Sequence, residues 1–404
     1  MNTNNKKQKR ILMLGGLRYL IPVIKAAHEL GHYVITCDYL PDNIAHKYSD
    51  EYHNVSILDK DAVLDLARSL EIDGIMSFAV DPGVTTAYYV AEKLGIPGPS
   101  YKSVEILQNK GLFRKFLTEH GFNVPKAKSY KDIDQALGDT EYYTWPVIVK
   151  PVDSAGSKGV TKVDKKEDLK NSILVALEVS FSNEFIIEEF ITQKGYSSDS
   201  DCFSVNGVLN CITFSDQRFD SNALNPYTPA AFSWPATISN ASQNELQNEL
   251  QRLITLLGLN TGIYNIETRE GIDGKAYIME VSPRGGGNRL AEMVRYASGV
   301  DLIKNAVRAA VGDEIVDVKQ PNYKGYWAII ILHAEEEGHF VKIDANLDKK
   351  YIHEFDLWVE VGEKVNGFNG ANDSLGTLVL NFETEKEMTS ILENQRSWLK
   401  IIVE

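Results

Sequence analysis

Glu267 and Glu280 stand on either side of a turn, and beyond the second come Ser282, Arg284 and three consecutive glycines. Residues 264–268 and 276–281 are β-prone and are separated by Gly271-Ile272-Asp273-Gly274, a pattern that predicts a hairpin. Centring the turn between Ile272 and Asp273 puts Asn265 and Glu267 on one face with Ile278, Glu280 and Ser282. The two glutamates are then diagonal neighbours, about 7–8 Å apart. Carboxylates so placed repel each other unless a cation lies between them. Mg2+ suits the position, because it takes oxygen ligands, keeps several waters and sits between one or two carboxylates and the phosphates of a nucleotide. Arg284 cannot lose its charge and can oppose an anion beside the metal. Gly285, Gly286 and Gly287 let backbone approach a ligand closely. Taken alone, the same residues fit an exposed hairpin with two solvated glutamates equally well.

A second group lies upstream. Residues 145–151 (Trp-Pro-Val-Ile-Val-Lys-Pro) form a buried-type strand with Lys150 near its end, followed by the loop 153–159 (Asp-Ser-Ala-Gly-Ser-Lys-Gly). N–H groups around Ser154, Gly156, Ser157 and Gly159 can lie over phosphates that Lys150 also reaches. The spacing of a Walker loop is absent, and the chain enters a strand at 160–163 rather than a helix. A flexible hairpin tip is the plainer alternative. In residues 185–191 (Phe-Ile-Ile-Glu-Glu-Phe-Ile), Glu188 or Glu189 either meets the amine edge of an adenine or guards an edge strand. Lys110, inside a helix predicted from Ser103 through Leu117, reads by itself as a solvated lysine.

These groups need a scaffold. Apolar strands at 11–14, 33–37 and 74–78 alternate with helices at 20–30, 62–70 and 86–94, which predicts a small parallel α/β layer over the first hundred residues. Gly15-Gly16 is not a dinucleotide fingerprint, because Leu17, Arg18 and Tyr19 fill the places where further glycines would admit a pyrophosphate. Asp81 follows a strand, at the end where α/β sheets meet ligands, although a plain strand-to-helix turn explains it as well. Residues 195–201 read as a polar turn and 216–227 as an irregular stretch. Leucines 246, 250, 253 and 257 with Ile254 predict an amphipathic helix leading into the hairpin. Beyond Tyr326, β-rich segments and a last helix at 385–394 predict an α+β tail that packs back on the middle of the chain.

The net charge of −14, from 42 basic and 56 acidic residues, disfavours general binding to nucleic acid or anionic membrane. Cys37, Cys202 and Cys211 show no metal-binding spacing, which points to a reduced compartment. The apolar run after the basic residues 1–10 is too short for a secretion signal, and none approaches the length of a membrane span. A cytoplasmic protein with a frayed N-terminus is expected.

The order of features is a further signal: an α/β opening, a helix lysine, a strand lysine, a glycine-rich loop, a Glu-Glu strand, then paired carboxylates ending in Pro-Arg-Gly-Gly. It resembles the ATP-grasp superfamily, and within it the carboxylate-amine ligases similar to the carbamoyl-phosphate synthase large subunit and biotin carboxylase. Its strongest motifs are Val147-Ile148-Val149-Lys150-Pro151 with the loop after it, and the run from Tyr277 through Glu280, Ser282 and Arg284 to Gly286. The resemblance implies an N-terminal α/β pre-grasp domain (1–105), an ATP-grasp core with a mobile lid (106–318) and a C-terminal α+β subdomain (319–404). Lys110 and Lys150 match lysines that contact nucleotide phosphates, and 154–159 matches the loop over them. Glu188 matches the adenine-side glutamate, with Glu189 beside it. Glu267 and Glu280 match the magnesium carboxylates, and Arg284 matches the arginine that steadies the transferring phosphoryl and acyl groups. Ser282 stands where the family has an asparagine metal ligand, so a hydroxyl or a water takes that place.

The activity implied is ATP-dependent joining of a small-molecule carboxylate to an amine through an acyl phosphate, releasing ADP and phosphate, with Mg2+ or Mn2+ as cofactor. No nucleic acid or membrane partner is implied, and a homodimer is compatible with it. A nucleotide-binding regulatory relative without turnover is the first rival, disfavoured by the presence of both carboxylates and Arg284. A nicotinamide-dependent oxidoreductase is the second, disfavoured by the missing glycines.

Overall fold

The computed structural model of the chain describes residues 8–154 and 156–404. The expected frayed N-terminus falls in part on residues 1–7, which with Ala155 of the glycine-rich loop lie outside the described residues.

The first layer is a parallel sheet in the order Glu51–His53, Tyr33–Cys37, Arg10–Leu14, Gly74–Ser77. The last three strands of that order are almost wholly buried, so they read as continuous apolar runs. Glu51–His53 carries no such run and escapes a reading by composition. Asp81–Leu94 springs from the carboxyl end of this sheet and ends on Gly95, whose φ of +67° makes the left-handed cap.

The single helix expected over 103–117 is two, Tyr101–Gln108 and Lys110–Glu119. Asn109 leaves the helical region with ψ 111°, and its side chain accepts from the backbone N–H of Leu112 at 3.0 Å. The break moves Lys110 from mid-helix to the first position of the second helix, where its backbone N–H donates to the carbonyl of Val152.

Two antiparallel sheets follow in the middle of the chain. The smaller runs Ala127–Tyr130, Phe185–Glu189, Val147–Pro151, Thr161–Val163, with the helix Leu169–Glu178 packed on Val147, Val149 and Val163. The other runs Val208–Ile212, Ser198–Val205, Gly262–Glu270, Ala276–Ser282. The polar turn expected over 195–201 is therefore largely strand. Its serines and aspartates hid it: Ser198 and Ser200 are buried, and their hydroxyls bond the N–H of Ser215 and the hydroxyl of Thr213.

A five-stranded sheet, Asp216–Phe219, Pro229–Trp234, Tyr326–Leu332, Gly376–Phe382, Ile352–Leu357, unites residues from both sides of position 318. Glu385–Glu393 packs Met388 and Leu392 on it, and its start is closed by a reciprocal capping box between Thr384 and Glu387. The final strand, Leu399–Val403, pairs with Gly338–Ala345. Mixed α/β and α+β architecture is thus as expected. Among the described residues no helix is long and apolar enough to cross a membrane.

Candidate active site

The hairpin forms where expected, but its register differs. Glu270 pairs with Ala276 around a five-residue turn, and the pairing slips once more between Thr268↔Ile278 and Glu267↔Glu280. Met279 is the extra residue, a β-bulge. Glu267 and Glu280 are therefore directly opposed rather than diagonal, and Ile278 has left their face for the core with Ile266 and Val281. Directly opposed antiparallel residues lie about 4.5–5.5 Å apart at Cα, closer than the diagonal spacing. Both side chains stay partly exposed, at 27% and 44%.

More acidity lies behind them. Asp199, on the neighbouring strand, is in register with Glu267, and Asp201 with Asn265. The Asn265 amide donates to Asp199 at 2.7 Å and to Asp201 at 3.4 Å. Burial and the charge of Glu267 push the Asp199 carboxyl up to about 8, and burial pushes Asp201 up to about 7. One oxygen of Asp201 accepts from the backbone N–H of Gly286 at 2.8 Å, while Oδ2 is buried without a partner.

Lys110 reaches this face from its new place at a helix start. Its ammonium donates to the carbonyl of Ser154 at 2.8 Å and to Glu280 at 3.3 Å, tying the glycine-rich loop to the hairpin. Lys150 lies 2.9 Å from Glu188, and Glu188 is also held by Arg114, whose Nε is 3.0 Å away. Burial works to raise the Glu188 carboxyl, but Arg114 and Lys150 outweigh it and hold it at about 2. Burial, with Arg114 and Lys110 nearby, lowers the Lys150 ammonium despite Glu188. Arg114 was not anticipated. The available signal was its spacing four residues after Lys110, on the same helix face.

Glu189 points elsewhere, accepting from the backbone N–H of Thr144 at 2.8 Å. In the loop, Ser154 Oγ donates to the carbonyl of Val179 and Ser157 Oγ to that of Tyr227 at 3.0 Å. Gly156 and Gly159 both have φ +68°, the left-handed region that favours glycine. A Cβ on Gly159 would also lie 2.5 Å from the Val179 side chain, whereas Gly156 faces open space.

Ser282 and Arg284 turn toward the N-terminal layer. The Ser282 hydroxyl donates to Asp81 at 3.2 Å and accepts from Gln108 at 2.8 Å. Arg284 makes a two-pronged pair with Asp81, Nε to Oδ1 at 2.8 Å and Nη2 to Oδ2 at 2.7 Å. The glycines after it are crowded by protein. A Cβ on Gly285 would come within 2.2 Å of the Phe78 ring, and one on Gly286 within 2.7 Å of Asn265, while Gly287 has nothing nearer than 3.9 Å. Close packing of the first layer, through Phe78 and the Ala79 N–H to Gly285 carbonyl bond, demands Gly285, whereas Asn265, Leu290 and Asp201 crowd Gly286.

The structure thus gathers Lys110, Glu267, Glu280, Ser282 and Arg284 around one edge of the hairpin, and places Lys150 with Glu188 on the smaller antiparallel sheet. Residues 143–292 match the family model described as an ATP-grasp domain. The carbamoyl phosphate synthase large chain of Pseudothermotoga lettingae is 25% identical over 327 residues, covering 76% of this chain and 29% of that one. The chain accordingly spans under a third of the length of the curated relatives it matches first. The L-amino acid ligase of Bacillus licheniformis superposes with a TM-score of 0.82 at 20% identity, over 99% of this chain and 100% of that one. The biotin carboxylase domain of the Hydrogenobacter thermophilus 2-oxoglutarate carboxylase, solved with MgADP and bicarbonate, gives 0.75 at 16% identity, over 98% and 91%.

Proposed function

We propose that this chain is an ATP-grasp protein acting as an ADP-forming carboxylate-amine ligase, a reading supported by the match over residues 143–292 and by the shared fold. The observation that carries the reading is the direct opposition of Glu267 and Glu280, with Lys110 against one and Arg284 four residues past the other. The donor set fits Mg2+. Two partly exposed carboxylates face each other with a buried third, Asp199, whose carboxyl is pushed up to about 8 by burial first and then by the charge of Glu267. Among the described residues no three His, Cys, Asp or Glu side chains form a metal cage. A magnesium shared with nucleotide phosphates needs only one or two protein carboxylates. Glu267 and Glu280 would hold it, and Mn2+ substitutes for it. When bound, the ion supplies charge neutralisation at the phosphate oxygens. Ser282 contributes through its neighbours, since its hydroxyl is already shared between Asp81 and Gln108.

In this reading the substrate carboxylate attacks the γ-phosphate, giving an acyl phosphate and ADP. An amine then displaces phosphate to form the amide. Phosphoryl transfer rests on positioning and electrostatics, so no protein nucleophile is needed. Lys150, fixed in direction by Glu188, and Lys110 present positive charge to the phosphates. Ser154, Gly156, Ser157 and Gly159 lie over them as a lid, with Glu188 on the adenine side and Glu189 turned away to Thr144. Arg284 opposes the moving phosphoryl and acyl oxygens. The division at about residues 105 and 318 belongs to this reading, and so does a reducing, cytoplasmic setting, with which the buried free thiols of Cys37, Cys202 and Cys211 agree. The test is release of ADP and phosphate in a screen of carboxylates against amines. No carboxylate-dependent release, with Mg-ATP bound, would reject ligase activity.

A further inference from the structure

Asp81 belongs to the N-terminal layer, 203 positions before Arg284, yet its carboxylate collects three bonds from the stretch that bears the proposed phosphoryl site. Two come from Arg284 and one from Ser282. The contact is built from both sides. Tyr88, on the same helix as Asp81, donates to the carbonyl of Pro283 at 2.9 Å, and the Ala79 N–H donates to that of Gly285 at 3.0 Å. Ser282 is fixed in turn by Gln108. A mere bolt between layers would need none of this alignment around one guanidinium.

The donors of Arg284 can be followed individually. A guanidinium has five N–H bonds in a rigid plane. Nε and one hydrogen of Nη2 go to Asp81, and one of Nη1 goes to the Gly285 carbonyl at 2.9 Å. One hydrogen remains on each Nη, which is a second fork suited to an oxyanion. The side chain is largely buried, at 10% exposure, so few other orientations are open to it.

We propose that Asp81 is a positioning residue for phosphoryl transfer: it holds Arg284 by one fork so that the other faces the transferring phosphoryl group. The inference rests on the ligase reading given above. Asp81 does not itself touch substrate, and it acts through Arg284.

The test uses the full chain and a phosphoryl mimic, Mg-ADP with aluminium fluoride, so that no carboxylate substrate is required. In the parent protein, aluminium fluoride tightens Mg-ADP binding. Asp81→Asn leaves Mg-ADP affinity within about twofold and cuts the gain from aluminium fluoride by about a hundred-fold, the scale of a misplaced reacting group. Asp81→Glu keeps the charge one methylene further out and gives an intermediate loss, which serves if Asp81→Asn fails to fold. In an Arg284→Ala background, Asp81→Asn adds nothing. A full gain in both Asp81 variants, an equal loss for Mg-ADP alone, or no gain in the parent overturns the proposal while leaving nucleotide binding in place. Absence of Mg-ADP binding in the parent rejects the underlying reading and the proposal with it.

Discussion

Glu267 and Glu280 face each other directly because Met279 is bulged out of the hairpin ladder. Without the slips the chain makes at the turn and at Met279, Ile278 would oppose Glu267 and the second carboxylate would sit two positions away. The bulge therefore brings the proposed metal carboxylates together.

Replacing Glu280 by Gln keeps shape and removes charge. The variant is expected to lose about 3 kcal/mol of transition-state stabilisation, roughly a hundred-fold in rate. ADP release measured against Mg2+ concentration checks it, and a variant as active as the parent at all Mg2+ levels would refute the metal role. Ser282→Asn is expected to disturb Arg284 through Asp81 rather than tighten Mg2+, since the hydroxyl it removes bonds Asp81.

Lys150→Ala should weaken Mg-ATP binding about ten- to a hundred-fold, as expected for losing a charge-assisted phosphate contact. The protein should stay folded, because Glu188 keeps Arg114 at 3.0 Å. Calorimetric titration with Mg-ATP and a thermal melt read the two effects separately.

Glu188 ties pH to stability. Its carboxyl is lowered from an ordinary 4.5 to about 2. A depressed acid contributes stability that is present above 4.5 and lost as pH falls through the folded value. The parent should therefore lose stability between about pH 4.5 and 2, and Glu188→Gln should lose less over that window while being destabilised by about 3–5 kcal/mol at neutral pH, with Arg114 left unpaired. Urea melts across this range decide it, and parallel pH curves for the two proteins would contradict the assignment.

The Ser157 hydroxyl bond to the Tyr227 carbonyl is one of the tethers on the glycine-rich loop, beside those that Ser154 makes with Val179 and Lys110. Removing it in Ser157→Ala should release about 1 kcal/mol of closure. Proteolysis within 153–160 should then accelerate about fivefold without nucleotide, and Mg-ATP should slow it in the parent. Cleavage indifferent to both would show that the loop does not close over phosphates.

Gly285→Ala drives a methyl into the Phe78 ring, 2.2 Å away, whereas Gly287→Ala meets only ordinary contacts. The first should cost about 1–3 kcal/mol by overpacking and the second close to nothing. Thermal melts of the pair test whether the glycine run serves packing of the first layer. Equal melting temperatures would speak against it.

Sequence alone determined the features that depend on local pattern. Buried strands announce themselves as apolar runs, the helix at 240–256 by its periodicity, and the hairpin by its turn, because side-chain alternation and backbone sterics act over a few residues. The residue types of the site were equally legible, since two glutamates, two lysines and an arginine in that order carry their chemistry with them. Only the tertiary structure decided which groups meet. A bulge that takes one residue out of register leaves no compositional mark, nor does the break at Asn109 that redirects Lys110. Asp81 and Arg284 are far apart in the chain, and Arg114 reaches Glu188 across 74 positions, so neither pair could be found from local spacing. The serines and aspartates of Ser198–Val205 look like a turn until Gly262–Glu270 supplies their partner strand. In each case the deciding energy is a contact between segments that the chain brings together only by folding.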